Sequence, residues 1–367
     1  MSLADRKKIY YELNTKLLYL DNNNLNKLLS KATITPKGLG SLTLLEIGTH
    51  KIFCKQTKIT KTEYKNQLNT ANLFNLPTYY NYGIGSEGIN CYRELLMHIK
   101  TTNWVLDDVI TNFPLMYHYR IMKNPNIKNT KPKKNSDYFD EKIVYWNSKE
   151  VGNYLKEKVE SSYSILFFME YIPLTAEDWL GCDYDRNKLY LKEINKIIKF
   201  LNKYGIIHFD MHPGNILINQ NSDKNVEFYL TDFGLVYDPE FQTNDNIENN
   251  FYKTNINFDY VDILSNGLLN RIKHRLCYNQ KFAHKYNYDK NGYTYDKIKF
   301  IYEHINDIML EFDIDINFIN LIKKYQHIIM IHETFIYNLK INPKKDDTMV
   351  YPFVEIESAL KKLNKKL

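Results

Sequence analysis

Apolar residues fall into several patterns along the chain, and each predicts a different element. Residues 1–30 are polar, with apolar positions at Leu17, Leu18, Leu20, Leu25, Leu28 and Leu29, a spacing that predicts one or two amphipathic helices. Two or three strands follow: Leu42 to Ile47 alternates weakly, Gly48-Thr49-His50 reads as a turn, and Lys51 to Ile59 returns. Residues 91–106 carry Tyr92, Leu95, Leu96, Ile99 and Leu106 on one helical face, and residues 113–122 read as another strand. The run Ser164 to Glu170 is a continuous apolar strand that breaks at Pro173. A helix then runs to Gly205, a good helix stop. Ile206-Ile207, Ile216 to Ile218 and Phe228 to Leu230 are short apolar runs of the kind that form buried strands. Helical spacing fills residues 296–340 and 353–366. Between the strands, residues 123–160 turn Lys-, Asn- and Pro-rich, which predicts a mobile insertion with a short helix near Glu150 to Val159.

Composition sets the class. The chain has 367 residues, 44% hydrophobic and 25% charged, enough for a large core and too apolar for disorder. Its net charge of +6 comes from lysines scattered through Asn/Ile/Tyr-rich sequence, so no nucleic-acid role is needed to explain it. That bias, with 31 tyrosines, suggests an AT-rich genome such as that of a large DNA virus, a protist or a low-GC bacterium. Cys54, Cys91, Cys182 and Cys277 are far apart and form no CxxC pair, the usage expected of free thiols in a reducing compartment. The N-terminus has no apolar stretch of signal length, and no run is long enough to span a bilayer. The expectation is a soluble intracellular protein, or one packaged in a particle.

The chemistry is concentrated in IIHFDMHPGNILIN, residues 206–219, and YLTDFGLVYD, from residue 229. The first places His208, Asp210 and Asn215 in one turn; the second makes a turn at Asp232, Phe233 and Gly234. Asp210 can accept or orient the proton of an attacking hydroxyl, while Asn215 and Asp232 can hold the metal ions that neutralise a triphosphate.

His-x-Asp-x-x-x-x-Asn followed by Asp-Phe-Gly resembles the catalytic core of the protein-kinase-like superfamily. The resemblance covers residues 36–270 at motif level and is dense from 164 to 234. It implies a bilobal α+β fold with a small antiparallel-sheet lobe and a larger, mainly helical lobe. The corresponding division is a helical extension over 1–34, a small lobe over 35–170 and a large lobe over 171–367. It implies ATP with Mg²⁺ or Mn²⁺ as cofactors. Gly38 and Gly40 would let backbone N–H groups approach the phosphates, although Thr43 stands where the family has a third glycine. Lys55, after the apolar triplet Ile52-Phe53-Cys54, would contact the phosphates, with Lys51 and Lys58 as competitors. Its helix carboxylate would be Glu94, with Glu63 as rival. Met169 would guard the back of the nucleotide pocket, and the backbone of Glu170, Tyr171 and Ile172 would meet the adenine edge.

Departures bear on substrate and control. Phe209 replaces the arginine that usually precedes the catalytic aspartate and pairs with a phosphorylated activation loop, so switching of that kind is not expected. The activation segment, roughly residues 235–258, has no Ala-Pro-Glu element. Asp262 and Gly267 match the spacing of the family's bracing aspartate and glycine, with Asp259 competing. His212 replaces the usual lysine and would either contact the transferring phosphate or close a local hydrogen bond. HxDxHxxN of this type is also similar to aminoglycoside and choline kinases and to atypical protein kinases. The leading expectation is a serine/threonine protein kinase acting on a protein substrate. A small-molecule kinase is the alternative, for which Glu303, Asp307, Glu311, Asp313 and Asp315 could form an acidic pocket, and a pseudokinase scaffold is the third.

Overall fold

In β3 (His50–Ile59), alternate residues point to opposite faces of an antiparallel sheet, and the two faces have different fates. The computed structural model describes residues 1–34, 41–125, 136–222, 225–243 and 246–364. The helices α1 (Leu3–Leu18) and α2 (Asn22–Ser30) precede the strands β1 (Thr33–Ile34) and β2 (Ser41–Ile47). After β3 come the short α3 (Lys61–Lys65), α4 (Cys91–Leu106) and β4 (Met116–Lys123). Next are α5 (Ser136–Trp146), α6 (Lys149–Glu160) and β5 (Tyr163–Glu170). The sheet runs β1-β2-β3-β5-β4, antiparallel throughout, with Lys55 opposite Phe167 and Phe53 opposite Met169.

Ile52 and Cys54 point to the outer face, where with Leu166 and Phe168 they meet Leu13, Leu17, Leu25 and Leu29 of α1 and α2. Each such fully buried leucine contributes about 1.5–3 kcal/mol relative to exposure, so the N-terminal helices are part of the core. Ser2 caps α1 in a reciprocal box with Asp5, and Asp21 caps α2. The inner face carries Phe53, Phe167 and Met169, packed with Tyr92 and Leu95 of α4.

Beyond β5 lie β6 (Leu174–Thr175), α7 (Ala176–Trp179) and the long α8 (Tyr184–Lys203), capped by Asp183. At the end of α8, Gly205 takes the left-handed conformation, φ 70°, that a helix stop requires. The strand β7 (Ile216–Ser222) pairs with β6 on one side and with β8 (Asn225–Leu230) on the other in a second antiparallel sheet, and Ile207 makes an isolated bridge to Tyr237. The remaining helices are α9 (Asn246–Lys253), α10 (Phe258–Tyr278), α11 (Gln280–Lys285) and α12 (Thr294–Glu303). They are followed by α13 (Ile305–Glu311), α14 (Ile316–Ile341) and α15 (Phe353–Asn364). The fold is α+β, with one sheet-rich lobe and one mainly helical lobe. None of the helices among the described residues is long and apolar enough to cross a membrane.

Residues 136–160, expected as loop with one short helix, form two helices. Trp146, Val151, Tyr154 and Leu155 are buried, joining Tyr79, Tyr80 and Tyr82 in a core beneath the C-terminal helices. The polar Lys/Asn background hid this apolar spacing.

Candidate functional site

Each side chain of the site is aimed by a different element. Lys55 projects from the inner face of β3 and is largely buried. Its Nζ lies 2.6 Å from Glu94 Oε1 and 2.7 Å from Asp232 Oδ1. Glu94 sits in the first turn of α4, whose N-terminus is closed by the Asn90 side chain. The rival carboxylate, Glu63, is used elsewhere: it accepts the backbone N–H of Thr60 at 2.7 Å and of Cys91 at 2.9 Å, tying α3 to the start of α4.

Electrostatics follow this geometry. Burial by itself lowers an ammonium's pKa, but Asp232 and Glu94 reverse that and raise Lys55 above its usual value. Burial pushes Asp232 and Glu94 up, and the Lys55 charge overrides it. Asp232 is held down to about 2, and Glu94 also lies below its usual value.

The turn that carries His208, Asp210 and Asn215 follows the isolated bridge at Ile207. Asn215 Nδ2 donates to the backbone oxygen of Asp210 at 2.9 Å and to its Oδ2 at 3.0 Å, locking the carboxylate's orientation. Burial raises Asp210 above its usual value, with His212 opposing and Asp232 reinforcing the shift. His208 is buried; its Nε2 meets the Thr231 carbonyl at 3.1 Å, and its Nδ1 accepts the Asp210 N–H at 3.3 Å. Burial lowers its pKa to about 4, so it is a neutral brace. Phe233 is wedged between the rings of His98 and His208, with centroids 4.9 and 5.4 Å away. Phe209 and Asp232 both hold positive φ, 63° and 65°, which non-glycine residues rarely adopt.

That strain is held from behind. The backbone N–H groups of His208 and Phe209 donate to Asp259 on α10, at 2.7 and 2.9 Å. The brace is therefore Asp259, not Asp262, whose spacing had matched. Asp262 accepts instead from Asn266 at 2.7 Å and faces His332. His212 closes a local bond, accepting the Gly214 N–H at Nδ1 (3.1 Å), while its Nε2 stands 3.9 Å from Asp210 Oδ2.

At the junction between lobes, Met169 is buried next to Met116 and Phe53. Glu170 is engaged in two ways that its sequence did not signal. Its N–H donates to the Leu115 carbonyl at 2.8 Å, and its carboxylate accepts from Arg6 of α1 at 2.8 and 2.9 Å. At Glu170 the N–H is thus already committed and cannot meet an adenine edge. Tyr171, under the ammonium of Lys51, and Ile172 follow the end of the strand. Gly38 and Gly40 lie outside the described residues.

A cavity of about 230 Å³ opens beside Asp210, lined by His212, Asp262, Glu333 and Lys340 among others. The acidic residues expected to form such a pocket do not reach it. Glu303, Asp307, Glu311, Asp313 and Asp315 are exposed at helix ends, where Glu303, Asp307 and Glu311 bind neighbouring side chains. No group of three or more His, Cys, Asp or Glu with metal-holding geometry occurs among the described residues. The oxygen donors at hand are Asp232, Asp210 and Asn215, a set that suits a hard cation completed by water and phosphate oxygens.

Known proteins share parts of this chain. A family model described as the ABC1 atypical kinase-like domain matches residues 134–266, a little over a third of the chain. Serine/threonine-protein kinase csk1 of Schizosaccharomyces pombe is 30% identical over 87 residues, 24% of this chain and 27% of that protein. The probable serine/threonine protein kinase IRE of Arabidopsis thaliana is 44% identical over 57 residues, 15% of this chain and 4% of that protein. The chain thus spans only a small part of either relative. The crystal structure of the BubR1 kinase domain is similar at 14% identity and a TM-score of 0.33, over 59% of this chain and 52% of that one. The motif residues assembled in this site, together with the match of residues 134–266 to the atypical kinase-like domain, make the chain similar to the protein-kinase-like superfamily.

Proposed function

We propose that the chain transfers the γ-phosphoryl group of ATP to a hydroxyl, with serine or threonine of a protein as the acceptor. The observation that carries this reading is the position of Lys55 between Glu94 and Asp232, with Asp210 and Asn215 in the adjoining turn. A lysine held by two carboxylates is poised to exchange one of them for phosphate oxygens. Glu94 fixes the ammonium, Lys55 steadies the α- and β-phosphates, and Asp232 is released toward the metal side.

Asn215 and Asp232 would hold Mg²⁺ or Mn²⁺, which when bound neutralises triphosphate charge. Asp210 orients the acceptor hydroxyl and takes its proton as the new O–P bond forms. The bond from the γ-phosphorus to the bridging oxygen breaks, and ADP leaves. His212 stays beside Asp210, its Nδ1 occupied by the turn.

Both curated relatives bear serine/threonine kinase names, which supports a protein acceptor over the short stretches they share. The cavity beside Asp210 favours a second reading, a small-molecule acceptor, because Asp262 and Glu333 would suit a polar or cationic compound. Incubation with γ-labelled ATP and Mg²⁺ separates the readings. Label on casein or myelin basic protein supports the protein kinase. Hydrolysis without protein labelling, enhanced by an amino alcohol or aminoglycoside, supports the small-molecule kinase. Absence of nucleotide binding and turnover leaves a scaffold.

A further inference from the structure

Two consecutive residues of α4 reach in different directions. Glu94 meets Lys55, while Arg93 turns to the activation segment and is buried there. Arg93 Nη2 lies 2.5 Å from Glu248 Oε1 on α9, and Nη1 donates to Tyr252 Oη at 3.1 Å. Nε donates to the Thr70 carbonyl at 2.8 Å. The Tyr252 hydroxyl in turn donates to Glu248 Oε1 at 3.0 Å. About two turns further along α4, on the same side, Lys100 pairs with Asp238 at 2.6 Å. One side of α4 is thus pinned to Asp238, Glu248 and Tyr252, and the neighbouring side carries the carboxylate that holds Lys55.

The usual position for a phosphate-binding arginine is closed. Phe209 occupies it, with its ring packed against Phe251 and Tyr252. Arg93 and Lys100 of α4 both face the activation segment, and the anion of the more deeply buried Arg93 is already supplied by the chain. We infer that Glu248 is a built-in anion for Arg93, and that the pair are positioning residues holding α4, and with it Glu94, against Lys55 without phosphorylation of the activation segment. This rests on the phosphotransferase reading for its effect on turnover, but not for its effect on α4.

The test combines wild-type protein before and after phosphatase treatment with Glu248→Gln and Arg93→Lys. Turnover and the KM for ATP are measured together with amide hydrogen exchange over residues 91–106 and 163–170. Phosphatase-treated wild type is expected to keep its turnover within about twofold. Each variant should lose about tenfold or more in kcat, with KM for ATP changed by less than about threefold. Amides of 91–106 should exchange faster while those of 163–170 stay protected, a local loosening that general destabilisation would not give. Unchanged exchange over 91–106 in both variants overturns the inference, as does loss of wild-type activity after phosphatase treatment. If wild type turns over no ATP, the phosphotransferase reading fails and the exchange data still decide the role of the pair. If Glu248→Gln does not fold, Arg93→Lys and the phosphatase arm decide it.

Discussion

Asp232, in front of the turn that carries His208, Asp210 and Asn215, and Asp259, behind it, are carboxylates in opposite electrostatic states. The Asp232 side chain is 41% exposed and 2.7 Å from the Lys55 ammonium. Burial raises its pKa, but the ammonium prevails and holds it down to about 2. Asp259 is fully buried and makes no ion pair among the described residues. Burial raises it to about 7, against the opposing pull of the His208 and Phe209 N–H groups. The front carboxylate stays charged and open to a cation or to phosphate-bound metal. The rear one acts through hydrogen-bond geometry, holding Phe209 in its positive-φ conformation. Charge in this site is kept beside Lys55, and the support behind it is a buried carboxyl group bonded to two backbone N–H groups.

The largest effects should come from breaking the front. Asp210→Ala should lower phosphoryl transfer by about 10²–10⁴-fold, the range for losing a positioned acid or base, with cooperative unfolding retained in thermal melts. Lys55→Ala should cost about 10²–10³-fold in transfer, the scale of one preorganised electrostatic group. It should also destabilise the protein, because Glu94 is left buried without its cation.

Asp259→Asn addresses the rear. An amide oxygen can still accept one of the two N–H groups, so stability should fall by about 1–3 kcal/mol, the cost of an unsatisfied buried donor. Its pH dependence sharpens the comparison. The folded-state pKa of Asp259, about 7, lies above the ordinary value of 3.8, so its contribution is fully present below pH 3.8 and is lost as pH rises through about 7. Asp232 works the other way: its contribution is present above pH 3.8 and is lost as pH falls through about 2. Denaturant titrations across pH should show the slope between 4 and 7 flattened in Asp259→Asn, and only the acid limb altered in Asp232→Asn.

The smallest effect belongs to Gly83. A Cβ there would sit 3.2 Å from Asp210 Oδ1 and 3.3 Å from the Phe209 carbonyl. Adjustment by a few tenths of an ångström should cost Gly83→Ala well under the roughly 10²-fold that a full ångström of misplacement brings, read as kcat with KM for ATP unchanged.

What was legible in the sequence follows the range of the interactions. Asp210, Asn215 and Asp232 come together because two turns and the strands between them are contiguous, and their chemistry is written in adjacent residues. That a buried lysine needs a helix carboxylate was legible, but the choice between Glu94 and Glu63 was not, and only the packing of α4 makes it. Nor was the brace legible. Asp259 and Asp262 lie three apart on α10, and only its packing against the turn decides between them. The bonds of Arg6 to Glu170 and of Arg93 to Glu248 join residues far apart in sequence, and neither partner stands out in its own segment. An arginine buried on an amphipathic helix reads as surface until the partner segment is in place. The α5–α6 pair was masked in a similar way, because a lysine-rich background hid apolar positions that pack against remote tyrosines.

The decisive measurement is transfer of label from γ-labelled ATP, with Mg²⁺ or Mn²⁺, by wild-type protein and by Asp232→Ala. Label should appear on an acceptor hydroxyl with wild type and be lost in the variant, whose thermal unfolding should remain cooperative. Equal labelling by the variant, or no nucleotide binding and no turnover by the wild type, would contradict the phosphotransferase reading.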